Sequence, residues 1–253
     1  MTATATTTAK PPPRTSTLDR TTADRLAATE YQRFADLLAG LGADQWRAPT
    51  VCPGWDVRAV AAHCLGMAEM IATTPEMVRQ NLRATIRSKR RGSAFIDELT
   101  ALQVEEHADL DGAAIAAAYA AVGPRAARSR ARATSLTRRM TMVNEPGDVW
   151  TMGYLWETIL TRDPWLHRVD ITDACGATMV LTPEHDGVLV DDVVGEWAAR
   201  HGRPFHLELT GAAGGRWSRG AGGPELCFDA LDFCRRLSGR APAEGLLETQ
   251  VPF

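Results

Sequence analysis

The sequence predicts a mainly α-helical protein that ends in a small α/β unit. Two observations carry this reading. Apolar residues recur at three- and four-residue spacing in several long stretches up to about residue 202. After Pro204 the pattern changes to alternation in PFHLELTG, followed by the glycine-rich AAGGRWSRGAGG. The 253 residues, 45% apolar and 23% charged, supply a sizeable core.

The segment MTATATTTAKPPPRTSTLDR holds seven Thr and three Pro and no apolar stretch. It reads as a disordered tail over 1–20 and not as a secretory signal. A first helix starts at Thr21 or Thr22 and runs to about Leu41. Leu26, Tyr31, Phe34, Leu37, Leu38 and Leu41 form its stripe, and Gly40 and Gly42 end it. The loop APTVCPGW follows, broken by Pro49 and Pro53. A second helix begins near Asp56 and passes Met70, with Val57, Val60, Cys64, Met67 and Ile71 as its apolar face. Residues 75–112 contain the basic run RATIRSKRRGS, read as a solvated face, and a helix over 94–107. A helix rich in Ala and Arg covers about 112–140.

The fourth main helix is expected from about Gly147 to Cys175, with Gly176 as its left-handed cap. Another follows at about 185–200 and ends at Gly202. The remainder gives a strand at PFHLELTG, a glycine-rich turn into another strand, a helix at FDALDFCRRLSGR and a closing strand at LLETQVPF. The expected units are a tail over 1–20, a helical domain over 21–202 and a small α/β domain over 203–253.

Bulk properties narrow the function classes. The net charge of −3 gives no general attraction to nucleic acid or anionic membrane. No run of about 18 apolar residues is present to span a bilayer. Five cysteines, an odd number with no CxxC, argue against a disulfide framework and for a reducing, cytoplasmic setting.

One helix face is unusual. In GYLWETILTRDPWLHRVDITDACG, the residues Met152, Trp156, Ile159, Asp163, His167, Asp170 and Ala174 follow at three- or four-residue spacing. An apolar stripe is interrupted by Asp, His and Asp in successive turns. A buried carboxylate there needs a metal, a cation or a wet cavity as compensation. Asp163 and His167, at i and i+4, are placed to converge on one ion. His63, on the apolar face of the second helix, is the best third ligand. Three ligands of this kind leave a fourth position open, as in catalytic zinc sites. Asp170, one turn on, is placed to orient His167. Each residue also has a plain structural reading: a core histidine, a local Asp–His contact. Pro164 leaves two outcomes open, a kink in the helix or an N-cap role for Asp163.

Two segments together resemble a known family. CPGWDVRAVAAHCLGM is similar to the N-terminal motif of the mycothiol-dependent maleylpyruvate isomerase-like proteins of the DinB-like superfamily, and LTRDPWLHRVDITDACG to their second hallmark. SGRAP, after an amphipathic helix, resembles the family's small second domain. The resemblance spans roughly 20–250 and is weakest in the middle. It implies a DinB-like four-helix bundle with a divalent metal, usually zinc, held at the positions of His63, Asp163 and His167. In the isomerases the middle ligand is Glu; the shorter Asp163 would draw the metal closer to the helix or shift the helix.

The resemblance further implies mycothiol, a cysteine–glucosamine–inositol thiol, as cosubstrate. A zinc-coordinated thiol is deprotonated and nucleophilic. The expected activity is transfer of the thiol to a small electrophile, or cis–trans isomerisation by its addition and loss. Arg240 in SGR is a candidate clamp for a substrate carboxylate, with a surface ion pair as the alternative. Trp55 and Trp165 are candidates for the pocket wall, or for core packing. Cys64 points about 100° from His63 and is assigned to the core. Two other functions stay open: a water-activating enzyme on the same scaffold and a non-enzymatic metal-binding protein. The expected partners are the small substrate and the thiol, with the chain a monomer or homodimer.

Overall fold

The structure is a computed structural model and describes residues 12–145 and 148–253. In chain order it comprises α1 (Arg20–Ala39), α2 (Val57–Ala72), α3 (Thr74–Arg91), α4 (Phe95–Glu106), α5 (Gly112–Ala131) and the short α6 (Ser135–Arg139). A hairpin of β1 (Thr141–Glu145) and β2 (Asp148–Thr151) follows. Next come α7 (Met152–Tyr154), a π-helical turn over Leu155–Ile159, α8 (Leu160–Cys175) and α9 (Val188–His201). The chain closes with β3 (Phe205–Thr210), β4 (Gly215–Arg219), β5 (Glu225–Asp229) and α10 (Ala230–Leu237).

Helices α1, α2, α5 and α8 pack against one another as a four-helix bundle, and α3 and α4 cover the outer side of α2. The local chemistry explains the starts. Asp19, Asp56 and Asp111 are N-caps whose carboxylates accept from Thr22, Ala59 and Ala114 N–H groups at 3.0, 2.7 and 2.8 Å. Helix α2 is buried almost all round, as its apolar sequence requires of a helix sandwiched between two layers. The basic run lies on α3 as an exposed face: Arg83, Arg87 and Arg91 pair with Glu106, Glu105 and Glu98 of α4.

The sequence reading departs from the structure at several elements, and the helix expected over 112–140 is divided into α5 and α6. Residues 148–151, expected in the fourth helix, form a strand paired antiparallel with β1, Met142 opposite Trp150. Val, Trp and Thr all favour strands, and that preference together with pairing to β1 prevails over the helical pattern. The closing strand expected at LLETQVPF is a 3₁₀ turn over Gly245–Glu248, with Leu246, Leu247 and Val251 buried against α10 and its neighbours. A strand was also hidden within the glycine-rich segment, where β4 pairs with β3, while β5 joins β3 in parallel. Of the expected tail, residues 1–11 lie outside the described residues. Arg14 is held to β2 by backbone hydrogen bonds to Val149 and Thr151 and by its Nε on Asp148 at 2.6 Å.

The three-stranded sheet, α9 and α10 share a second core. Trp197, Phe205 and Phe233 meet there, and Trp165, Leu166 and Val169 of α8 extend into it. Helix α8 therefore faces two cores at once.

Pro164 sits inside α8 and neither caps nor ends it. Lacking an N–H, it leaves the Leu160 carbonyl without its helical partner. That carbonyl accepts from Arg130 Nη1 of α5 at 3.0 Å. The π-helical turn immediately before it absorbs the change of pitch.

Candidate metal centre

On the bundle side of α8, Asp163 and His167 stand one turn apart and face His63 of α2. Asp163 Oδ2 lies 3.6 Å from His63 Nε2, and Asp163 Oδ1 lies 3.7 Å from His167 Nε2. The two rings are edge-on, with centroids 5.3 Å apart. One ligand atom from each of His63, Cys64, Asp163 and His167 lies within 4.8 Å of the others.

The hydrogen bonds assign both histidines. Gln80 Nε2 donates to the Gly66 carbonyl at 3.0 Å and to Glu76 Oε1 at 2.8 Å, so its Oε1 is left to accept. It accepts from Gln103 Nε2 at 3.0 Å, so Gln103 Oε1 accepts from His63 Nδ1–H at 2.8 Å. His167 Nδ1–H donates to Asp170 Oδ2 at 2.8 Å. In the neutral rings both Nε2 lone pairs therefore face the Asp163 carboxylate. Its Oδ2 is out of water and has no hydrogen-bond partner.

These separations are too long for hydrogen bonds. They are near the distance of about 3.3 Å between ligand atoms around a tetrahedral zinc, given bonds of about 2.0–2.1 Å. The donor set, two imidazoles and a carboxylate with an orphaned oxygen, fits a divalent cation. Burial works against the Asp163 charge, but the His167 and His63 imidazoles hold its carboxyl down to about 2.

Asp170 links the histidine to the C-terminal unit. Its carboxylate takes His167 Nδ1–H and also Arg240 Nε at 2.8 and 3.0 Å. Burial opposes its charge, and His167 and Arg240 together keep its pKa below the ordinary value. Among the described residues the Arg240 Nη groups make no hydrogen bond. Trp55 flanks His63, with ring centroids 5.4 Å apart.

Trp165 does not reach this site. Two positions beyond Asp163, it points about 200° around the helix. It is fully buried in the second core, where it stacks on Phe253 and donates to Asp186. Cys64, assigned to the core, is buried there but its thiol also borders the cluster. Burial pushes the Cys64 thiol well up. Cys52 Sγ lies 3.6 Å from Asp170 Oδ2; burial and the Asp170 charge push its thiol up to about 11.

Gln103, Gln80 and Gly66 were missed in the sequence. A Cβ on Gly66 would sit 2.7 Å from the Gln103 side chain, so glycine makes room for the amide that orients His63. The only signal was a Gln set among the apolar residues Leu99 and Leu102 of α4.

A helical bundle with a histidine–carboxylate cluster on facing helices, tied to a small α/β unit, defines the class. Within it, residues 27–172, more than half of the chain, match the model of the mycothiol maleylpyruvate isomerase N-terminal domain, and the chain belongs to that family. Two relatives from two strains of Mycobacterium tuberculosis, both named only as uncharacterised proteins, are 26% identical over 78% of this chain and 77% of their own length. The crystal structure of a mycothiol-dependent maleylpyruvate isomerase shares the fold: TM-score 0.58 at 15% identity, covering 88% of this chain and 90% of the other. A histidine-to-alanine mutant of that enzyme matches with a TM-score of 0.55 at 14% identity and the same coverage. No helix among the described residues is long and apolar enough to cross a membrane.

Proposed function

We propose that this chain is a metal-dependent enzyme using mycothiol on a small electrophilic substrate, as an S-transferase or a cis–trans isomerase. One observation supports this most directly: His63 Nε2, His167 Nε2 and Asp163 converge while the Nδ1 of each ring is already committed to a hydrogen bond. A cation placed among them would meet all three ligand atoms. The family match and the shared fold with the mycothiol-dependent isomerase support the thiol.

A divalent cation, zinc by its donor set, would acidify a thiol brought to the cluster and make it nucleophilic near neutral pH. His63, Asp163 and His167 would hold the cation, with Gln103 and Asp170 keeping the two imidazoles in the binding tautomer. Burial holds the Cys52 and Cys64 thiols up, which disfavours these two as the nucleophile. Arg240, anchored through Nε, has its Nη face free for a substrate carboxylate. Trp55 shields one side of His63. In the isomerase reading, thiolate adds to an activated double bond and the electron pair moves to the conjugated carbonyl. Rotation about the new single bond follows, and the pair returns as the thiol leaves. In the transferase reading the carbon–sulfur bond is kept.

Metal analysis of the purified protein tests the first half: about one divalent ion per chain, lost in His63→Ala and His167→Ala. A folded wild type that takes up no zinc would sink the metal reading. Incubation with mycothiol and a maleyl or other electrophilic acid, against water alone, tests the second half. Turnover with water alone would replace the thiol with hydrolysis.

A further inference from the structure

A recess of about 230 Å³ opens between the end of α2, the first turn of α3, the last turn of α5 and Trp156. It is separate from the histidine cluster. Ile71 on its wall is two turns beyond His63, and Trp156 is two turns before Asp163, about 11 Å along the helices. Arg240 lies towards the opposite end of α8, beside Asp170.

The charge in this recess is of one sign. Arg130 and Arg132 line it with several hydroxyl residues, and no Asp or Glu does. Arg130 is only 4% exposed, yet it forms no ion pair with any described residue. Its Nη1 and Nη2 donate to neutral acceptors, Leu160 O and Thr161 Oγ1, and its Nε–H has no acceptor. The buried Arg162 and Arg168, in contrast, each have carboxylates within 2.6–3.1 Å. A buried guanidinium without a counter-charge is costly and attracts an anion. Trp156 Nε1–H, on the same wall, is also buried without a partner. Exposed Arg132 makes no side-chain hydrogen bond or ion pair among the described residues.

We propose that this recess binds the oxyanion of a small acid, carboxylate or phosphate, between Arg130, Arg132 and the Trp156 indole. Guanidinium and indole N–H groups are donors that carboxylate and phosphate oxygens accept. The assignment does not depend on the metal centre.

The test uses the full chain, titrated with sodium phosphate and separately with sodium succinate, with chloride keeping ionic strength constant. The readouts are calorimetry and the NMR signal of the Trp156 indole N–H, assigned through Trp156→Phe. A saturable shift with either anion is expected, and which anion binds identifies the oxyanion class. Arg132→Gln should weaken it about tenfold or more, while His63→Ala leaves it unchanged. Three results would overturn the proposal: no saturable shift at tens of millimolar anion, a shift that chloride reproduces, or binding untouched by Arg132→Gln. Loss of binding in His63→Ala would move the anion to the histidine cluster and overturn it as well. Because Arg130 also caps Leu160, Arg130→Gln is read only alongside its melting curve; a folded variant that binds like wild type also overturns the assignment.

Discussion

Helix α8 carries two buried polar clusters on different faces, and they are finished differently. On one face Arg168 is held between Glu30 and Asp186, with donor–acceptor distances of 2.6–3.1 Å. His185 reaches Glu30 Oε2 at 2.7 Å, Trp165 donates to Asp186 Oδ1, and Arg33 and the Thr182 N–H complete Asp186 Oδ2. Every carboxylate oxygen there has a donor. On the other face, one residue earlier, His167 and Asp163 stop 3.7 Å apart and an Asp163 oxygen has none. That network, open only at the buried His185 Nδ1, fastens α1, α8 and the 183–187 turn. The other holds donors in place for something that is not part of the chain.

The contrast sets four expectations, the first being the largest. Arg168→Ala takes the guanidinium from Glu30, which keeps only His185, and one of two guanidiniums from Asp186, and should cost about 3–5 kcal/mol in urea denaturation. Asp163→Asn in metal-free protein should cost far less, since it removes a buried charge whose Oδ2 has no hydrogen-bond partner. Equal losses would erase the distinction between the two faces.

Zinc should raise the melting temperature of the wild type but not of His167→Ala. At a thousandfold excess over Kd the gain is about 4 kcal/mol. A chelator should reverse it, followed by calorimetry.

Gln103→Leu removes the acceptor that aims His63, and Gly66→Ala crowds it from behind. Each should weaken zinc about 10- to 100-fold in a chelator competition. Rescue of the tautomer signal by Gln103→Glu, read by nitrogen NMR of the metal-free protein, separates aiming from general damage.

Smallest in effect, Cys52 should resist alkylation until the pH nears its raised value of about 11. Its thiol is kept protonated in the fold while an unfolded one ionises from about pH 8.5. Between those values rising pH therefore favours the unfolded chain through this residue. Fast alkylation of Cys52 at pH 8 in native protein would show that Asp170 and burial do not govern it.

Asp163, His167 and Asp170 were legible because helical periodicity alone stacks them. Burial of their face could be read from Ile159 and Ala174 around them. His63 could be placed opposite only through the family motif, since pairing of α2 with α8 is a tertiary fact with no local signature. Gln103 had no readable signal beyond being polar in a stripe; its role depends on the approach of α4 to Gly66. The hairpin was obscured because Met152, which follows it directly, also fits the helical period of α8. Trp165 illustrates the same limit: proximity in sequence put it beside the site, while 200° of rotation put it in another core.

Arg240 and His167 share one carboxylate, and this couples two parts of the molecule mechanically. The angle of the His167 ring is set by Asp170, and Asp170 is set in part by a residue 70 positions away in the C-terminal unit. A bundle severed from residues 203–253 would retain all three donors and lose the brace that aims one of them. Any rocking of the sheet unit against α8 would turn that imidazole like a needle on a dial. Spacing between the two units is thereby written into the geometry of the donor set.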